Sequence, residues 1–274
     1  MTRSGRDLLR AALERHVASG GVLVGEAVGV HGVTEGFAAG PGLVRTPLSE
    51  GAAVGVAAGF ALAGKKVVVE LVDPAGLGRA AEVLGELASL RARTNGAWSA
   101  PIVVRAPFAP FTAPAGLRVV VAATADDLVG MLALALDGNE PVVLLEAASA
   151  HADTGTGTSV PALGTAVTLR EGYAATVFAV GPAVDAAFDA ADALYDDGTG
   201  EVEVVDLRAL APLDRATIGA SVRKSGRAVM VGVPEGLTVA LDEAFLSLEA
   251  PLAALPADAS AAQIAAALRA AISY

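Results

Sequence analysis

The sequence contains no cysteine, and only 4% of its 274 residues are aromatic. Without cysteine the chain has no disulfide bond, no thiolate metal ligand and no cysteine nucleophile, which fits a reducing compartment. Basic residues are also few, with 19 Lys and Arg against 30 Asp and Glu and a net charge of -11. This balance argues against a nucleic-acid partner, because binding to a phosphate backbone requires positive charge.

Long apolar runs are lacking as well. The uncharged stretch 51–64 is rich in Gly and Ala, and it is shorter than the roughly 20 residues that span a bilayer. The sequence therefore predicts no membrane segment. The first ten residues carry charges without an apolar core, so they do not resemble a secretory signal. We expect a cytoplasmic protein.

The residues that are abundant indicate an α/β protein. Hydrophobic residues make up 54% of the chain, and they are mostly Ala, Val and Leu, which suit helices packed on buried parallel strands. Short β-branched runs predict strands at 22–24, 66–72, 102–105, 117–121, 142–146, 175–181, 201–207 and 228–233. Apolar residues at helical spacing predict helices at 5–18, 183–195, 214–224, 237–248 and 259–272. This alternation predicts two doubly wound domains with mainly parallel sheets.

The domain boundary is predicted at a small, polar segment. Residues 149–161 contain the run DTGTGTS, a composition typical of a linker between compact units. We therefore predict one domain over residues 1–150, a linker over 151–163 and a second, smaller domain over 164–274.

Glu50 is the main candidate for a functional residue. Pro47 favours an extended or turn conformation, Ser49 is a good N-cap, and Gly51 relaxes the backbone, so Glu50 falls in the first turn of a helix. We expect a buried carboxyl group there, and burial would raise its pKa. The alternative is an ordinary helix N-terminal glutamate stabilised by the helix dipole.

Six segments in a fixed order resemble one protein family. They are VGEAVG at 24–29, VTEG at 33–36, TPLSEG at 46–51, EPVVLLE at 140–146, VVDLRALAPLD at 204–214 and SVRKSGR at 221–227. Together they resemble the β subunit of the decarboxylating component of 2-oxo acid dehydrogenases, over nearly the whole chain. The resemblance implies a transketolase-like pyrimidine-binding domain followed by a transketolase C-terminal domain.

The resemblance also implies a thiamine diphosphate site. Glu50 would be the catalytic residue, binding a ring nitrogen of the cofactor's aminopyrimidine and favouring its imino tautomer. Glu26, Leu48 and Asp73 would lie near the cofactor. For Glu26, a strand-end carboxylate bound by turn amides is an equally good interpretation. The reaction implied is decarboxylation of a 2-oxo acid or transfer of an acyl or two-carbon unit.

The same resemblance implies a partner chain. Family members bind the diphosphate and magnesium through a Gly-Asp-Gly motif with a downstream Asn, and this sequence has no such arrangement. Asp197-Gly198 is only superficially similar and is best interpreted as a solvated turn. An α-type subunit would supply that half of the site, in a heterotetramer active only as a pair. An acyl-carrier partner is left open, and no metal ligands are predicted in this chain.

Three departures from the family leave a second hypothesis open. The family's histidine-containing loop is replaced by residues 106–116, which contain no histidine. No Phe, Tyr or Trp occurs over 65–97, where the family places a ring on the aminopyrimidine, and Asp73 stands near that position. Residues 234–256 replace a longer segment. The alternative is therefore a non-catalytic scaffold subunit with a degenerate cofactor pocket. His31, in a loop near Glu26, is either a replacement proton-transfer group or a solvated histidine.

Overall fold

The computed structural model describes residues 2–157 and 162–274. Contacts divide the chain into two units, Met1–Leu163 and Gly164–Tyr274. The first part of the predicted linker belongs to the first unit, because His151 lies in helix α5 (Ala148–Ala152) and strand β8 (Thr154–Gly155) pairs with strand β1 (Arg3–Ser4). Residues 158–161 of that linker lie outside the described residues.

The first unit contains a parallel sheet. Its strands are β2 (Val22–Gly25), β3 (Leu43–Arg45), β4 (Val67–Glu70), β5 (Ile102–Pro107), β6 (Arg118–Ala122) and β7 (Val142–Glu146). They lie in the order β6-β7-β5-β4-β2-β3, and every pair in this order is parallel. Strands β2, β4 and β7 are buried along their whole length, as expected for strands covered on both faces.

Helices connect these strands. They are α1 (Gly5–Ala18), α2 (Glu50–Leu62), α3 (Gly76–Arg93), α4 (Ala125–Asp137) and α5, with a short 3-10 turn at Gly32–Thr34. Helix α1 packs with α4 and α5, and α2 packs with α3. The carboxyl ends of the parallel strands meet at one edge of the sheet, next to the start of α2, and ligands of such sheets bind at this edge.

Side-chain caps explain where several helices begin. Ser49 accepts a hydrogen bond from the backbone N–H of Ala52 at 3.4 Å, so the predicted N-cap of α2 is confirmed. Ser4 caps α1 through the N–H of Asp7 at 3.1 Å. Thr124 and Asp127 form a capping box at the start of α4, in which two unpaired backbone donors are satisfied reciprocally.

The second unit has a five-stranded sheet of order β14-β13-β10-β11-β9. The strands of this unit are β9 (Val167–Arg170), β10 (Ala175–Ala179), β11 (Val202–Asp206), β12 (Ala209–Ala211), β13 (Ala228–Val231) and β14 (Ala253–Leu255). The sheet is parallel except for β9, which runs antiparallel to β11. The helices are α6 (Ala183–Asp196), α7 (Arg215–Ser225), α8 (Glu235–Ala244) and α9 (Ala261–Ile272).

The predicted fold class is confirmed. Both units alternate strands and helices around mainly parallel sheets. The helix predicted over 237–248 is shorter, since α8 ends at Ala244 and a 3-10 turn follows at Phe245–Ser247. No helix in the described part of the chain combines the length and apolarity needed to cross a membrane.

Candidate functional site

Glu50 is the first residue of α2, and its carboxylate is held by an arginine of α3. Arg79 Nε donates to Glu50 Oε2 at 3.0 Å, and Arg79 Nη2 donates to Oε1. This hydrogen bonding lowers the pKa of the Glu50 carboxyl below its ordinary value. The expected raised pKa is therefore wrong for this chain, because the guanidinium favours the ionised form more than partial burial opposes it. The Glu50 side chain is 16% exposed.

Asp73 shares the same arginine. Its Oδ2 lies 2.5 Å from Arg79 Nη2, and its Oδ1 accepts from the backbone N–H of Ala75 at 3.0 Å. The hydrogen bond from Arg79 lowers the pKa of Asp73. Asp73, which the resemblance put near the cofactor, thus reaches Glu50 through Arg79.

Gly76 allows Glu50 to approach the first turn of α3. A Cβ atom at this position would lie 2.9 Å from Glu50 Cγ and 3.0 Å from Glu50 Oε1. Such distances are shorter than ordinary van der Waals contacts, so any side chain at this position would force Glu50 to move. The Glu50 carboxylate therefore rests at the N-terminal end of a helix, where the dipole favours negative charge.

A small cleft joins Glu50 to two further carboxylates. It is lined by Glu26, Thr46, Glu50 and Glu70 together with Pro47, Ser49, Ala53, Leu71 and Val72. Thr46 Oγ1 is buried and has no hydrogen-bond partner. Among the described residues it is the one buried side-chain oxygen or nitrogen atom without a partner. A buried hydroxyl costs free energy unless it is hydrogen-bonded, so its position in this cleft is suited to a ligand with polar atoms.

The other predicted site residues fall in different places. Glu26 follows β2 and lines the cleft with Glu50. Leu48 is 82% exposed and does not line the cleft, so the structure does not bring it together with the two glutamates. His31 is exposed in a loop that approaches the carboxylate of Glu70, since a Cβ at Gly32 would lie 3.2 Å from Glu70 Oε1.

A buried ionic network that the sequence analysis missed lies beside the cleft. Arg105 binds Glu146 with both Nε (2.6 Å) and Nη2 (3.0 Å), and its Nη1 lies 3.5 Å from Glu70 Oε2. His151 Nε2 lies 3.0 Å from Glu146 Oε2. Burial raises the pKa of Glu70. Burial acts in the same direction on Glu146, but Arg105 and His151 outweigh it and lower the pKa of that carboxyl.

The sequence did contain a signal for this network. Glu70 and Glu146 are the last residues of β4 and β7, and Arg105 lies near the end of β5. Charged residues that end apolar strands of a parallel sheet meet at its carboxyl edge. The order β7-β5-β4 then brings these three side chains together.

The loop without histidine forms a second, apolar groove. Residues 109–112 line it with Pro74 and Ala75, which precede α3, and with Leu77, Gly78 and Ala81 in its first turns. No charged or imidazole group lines this groove among the described residues. The loop therefore supplies apolar surface next to the Asp73-Arg79 pair and no acid-base group.

A wider cleft lies at the opposite ends of the strands. Its lining includes Arg15, His16, Lys65, Lys66 and Asp137, which stand at or just beyond the C-terminal ends of α1, α2 and α4. Cations at helix C-termini are explained by the helix dipole. Within the described residues, no group of three His, Asp or Glu side chains could hold a metal ion.

Comparison with known proteins identifies relatives of this chain. Residues 164–267 match the family model "Transketolase, C-terminal domain". The chain is 34% identical to the pyruvate dehydrogenase E1 component subunit beta of Bacillus subtilis, over 92% of this chain and 87% of that protein. It is 36% identical to the 3-methyl-2-oxobutanoate dehydrogenase subunit beta of Mycobacterium tuberculosis, over 89% and 80% of the two chains.

Solved structures share the fold. A split-gene transketolase, described as an inactive beta4 tetramer, superposes with a TM-score of 0.73 at 19% identity over 98% of both chains. A 2-oxoglutarate:ferredoxin oxidoreductase from Magnetococcus marinus superposes with a TM-score of 0.66 at 14% identity, over 99% of this chain and 65% of that one. The two dehydrogenase relatives show that the chain belongs to the family of 2-oxo acid dehydrogenase E1 beta subunits.

Proposed function

We propose that this chain supplies the aminopyrimidine half of a thiamine diphosphate site in a heteromeric enzyme that acts on a 2-oxo acid. One observation carries the proposal. Glu26, Glu50 and the unpartnered hydroxyl of Thr46 line one cleft at the carboxyl edge of the first sheet. Two carboxylates and a free hydroxyl offer the acceptors that an amino-substituted, nitrogen-containing ring requires.

The side chains present fit that half of the cofactor. Glu50 would hydrogen-bond the ring nitrogen of the cofactor. The hydroxyl of Thr46 would form a hydrogen bond with the aminopyrimidine ring or with its amino group. Leu71 and Val72 border the cleft with apolar surface, in a chain that has no aromatic residue over 65–97. Leu48 and Asp73 would be further neighbours of the cofactor. Leu48, at 82% exposure, would contact the cofactor only where the partner chain covers it.

When bound, thiamine diphosphate supplies the electron sink that lets a 2-oxo acid lose carbon dioxide. This chain would orient the aminopyrimidine ring and control the proton on its ring nitrogen. Glu50 would share a proton with the ring nitrogen, which a carboxyl group does well when its pKa approaches the working pH. The hydrogen bond from Arg79 lowers the pKa of Glu50, and the charge of Asp73 acts in the opposite direction.

The second half of the site would come from an α-type subunit. This sequence has no Gly-Asp-Gly motif with a downstream Asn, so diphosphate and magnesium would be held mainly by that partner. We propose a heterotetramer of two α-type and two β-type chains, with an acyl carrier as the acceptor of the product. The relatives are named as subunits of dehydrogenases, which supports an obligate pair.

Two observations favour the scaffold hypothesis. Arg79 occupies both oxygens of the Glu50 carboxylate, and the neighbouring loop 106–116 has no histidine. In a scaffold subunit, the Glu50-Arg79 pair would be a permanent structural contact. The cofactor would then bind neither this chain nor its pair.

Activity of the assembled pair separates the two functions. The chain is co-expressed with an α-type chain that carries the Gly-Asp-Gly motif, and reduction of an artificial electron acceptor is followed with a panel of 2-oxo acids. We expect Glu50→Gln to lower activity by about 100-fold or more, the range of a lost acid-base group. Glu82→Gln, at an exposed position of α3, is the matched control. Equal activity of the Glu50→Gln and wild-type pairs would disprove the catalytic role.

A further inference from the structure

Arg79 bridges two carboxylates that lie on different segments. It contacts Glu50 at the start of α2 and Asp73 in the loop between β4 and α3. The side chains of Arg79 and Asp73 are half-exposed, at 51% and 49%, whereas that of Glu50 is 16% exposed. The arginine therefore lies on the solvent side of the glutamate, at the rim of the cleft.

The contact uses the acceptor positions that a ligand would need. Two N–H groups of one guanidinium bind the two oxygens of Glu50, a planar arrangement that also fixes the orientation of the carboxylate. Gly76 lies against the same carboxylate. A ring nitrogen approaching Glu50 from the cleft must therefore compete with Arg79.

Asp73 gives the arginine a second partner when Glu50 is released. Arg79 Nη2 already binds Asp73 Oδ2 at 2.5 Å, so the guanidinium can leave Glu50 without losing every ion pair. Asp73 itself is fixed by the N–H of Ala75. The exchange requires only rotation of a long, half-exposed side chain, which is a small change.

We infer that Arg79 is a positioning residue for Glu50. In the free chain it holds the carboxylate against the first turn of α3, and on entry of the aminopyrimidine ring it withdraws to Asp73 and leaves Glu50 to the ring. The inference rests on the proposed function. Asp73 lies near the position where the family places an aromatic ring, and in this chain it is the alternative partner of Arg79.

Removal of Arg79 should also change the state of Glu50. The titratable groups around Glu50 are Arg79 and Asp73 on one side and Glu26 and Glu70 along the cleft. Without the guanidinium, the carboxylates alone remain, and like charges favour protonation of Glu50. The Glu50 carboxyl of the variant should then titrate at a higher pH than that of the wild type.

The first test is thiamine diphosphate binding by the co-expressed pair, with magnesium, in a calorimeter. We expect the Arg79→Met pair to bind thiamine diphosphate about twofold to fivefold more tightly than the wild-type pair, which is the range for loss of a half-exposed ion pair. The affinity of the Arg79→Lys pair should lie between those two. Asp73→Asn should bind more weakly, because Arg79 then has Glu50 alone. Arg93→Met is the matched control, since Arg93 pairs with Glu86 on the same helix.

The second test is a carbon-13 NMR titration of the Glu50 carboxyl in the free chain. A shift to higher pH in Arg79→Met supports the inference, and an unchanged midpoint overturns it. If the wild-type pair binds the cofactor and Arg79→Met binds no more tightly, only this inference fails. If neither pair binds, the proposed function fails with it.

Discussion

Arg79 Nε lies 3.0 Å from Glu50 Oε2 and joins the first turn of α3 to the first residue of α2. The pair is 29 residues apart in sequence, and Gly76 makes its geometry possible by admitting the glutamate side chain. The orientation of Glu50 is therefore set by α3 as much as by its own helix. Changes at positions of α3 that face Glu50 should alter its orientation, and changes at positions that face open space should not.

Gly76→Ala should displace Glu50. The added Cβ would lie 2.9 Å from Glu50 Cγ, and overpacking of this kind costs about 1 to 3 kcal/mol. Gly78→Ala is the matched control on the same helix, because its Cβ would meet no atom within 4 Å. Chemical denaturation of both variants measures the difference. Equal free energies of unfolding would contradict the close contact.

Thr46→Val should weaken cofactor binding without destabilising the fold. Thr46 Oγ1 is buried and unpartnered, so its removal should leave the free energy of unfolding within about 0.5 kcal/mol of the wild type or raise it. We expect the same change to weaken thiamine diphosphate binding by the pair, roughly fivefold for one lost neutral hydrogen bond.

Thr34→Val is the control for this hydroxyl. Thr34 is buried, and its Oγ1 accepts from the N–H of Gly29 at 3.1 Å. Its loss leaves that donor unpaired and should cost about 1 to 3 kcal/mol. If Thr46→Val destabilised the free chain as much as Thr34→Val, the Thr46 hydroxyl would have a partner within the protein.

Arg105→Met should destabilise the first unit strongly. The arginine side chain is 4% exposed and is the main partner of Glu146, and breaking a buried pair by removing one member costs about 3 to 5 kcal/mol. Arg93→Met removes an exposed pair of the same charge type and should change stability by less than about 1 kcal/mol. Thermal unfolding compares the two. A small effect of Arg105→Met would show that the network is dispensable.

His16 should make stability depend on pH. It is buried against Gly21 and lies 3.3 Å from the carbonyl of Val22, and burial lowers its pKa. Below the ordinary histidine pKa of about 6.5, His16 is protonated in the unfolded chain but stays neutral in the folded chain. Stability should therefore fall as the pH drops below that value, by at most about 1.4 kcal/mol per pH unit for this group.

His16→Gln tests this dependence. The variant should have a shallower slope of unfolding free energy against pH between roughly 6.5 and 5. Identical slopes for the wild type and His16→Gln would mean that His16 is protonated freely in the folded chain.

Much of the fold was predictable because the signals are local. The strands of the first sheet are nearly continuous apolar runs, and α1 has a regular apolar stripe with Ser4 as its cap. Strand β3 was not predicted, because only Val44 among Leu43–Arg45 is β-branched. Glu50 was correctly placed in the first turn of a helix capped by Ser49.

The environment of Glu50 was not predictable from the same local signals. In the sequence, Arg79 is typical of a solvent-facing arginine on a helix. Its contact with Glu50 depends on how α2 and α3 pack. The buried network has the same origin. Glu70 and Arg105 are 35 residues apart, and Arg105 and Glu146 are 41 apart. Their meeting follows from the order of β4, β5 and β7, in which the last strand in sequence lies next to β5.

The central claim is that Glu50 belongs to half of a cofactor site that is completed by a partner chain. Calorimetry with thiamine diphosphate and magnesium tests it, on this chain alone, on an α-type chain alone and on the co-expressed pair with and without Glu50→Gln. We predict binding by the wild-type pair, none by this chain alone, and at least tenfold weaker binding by the Glu50→Gln pair, about 1.4 kcal/mol. A well-formed wild-type pair that binds no cofactor would contradict the account.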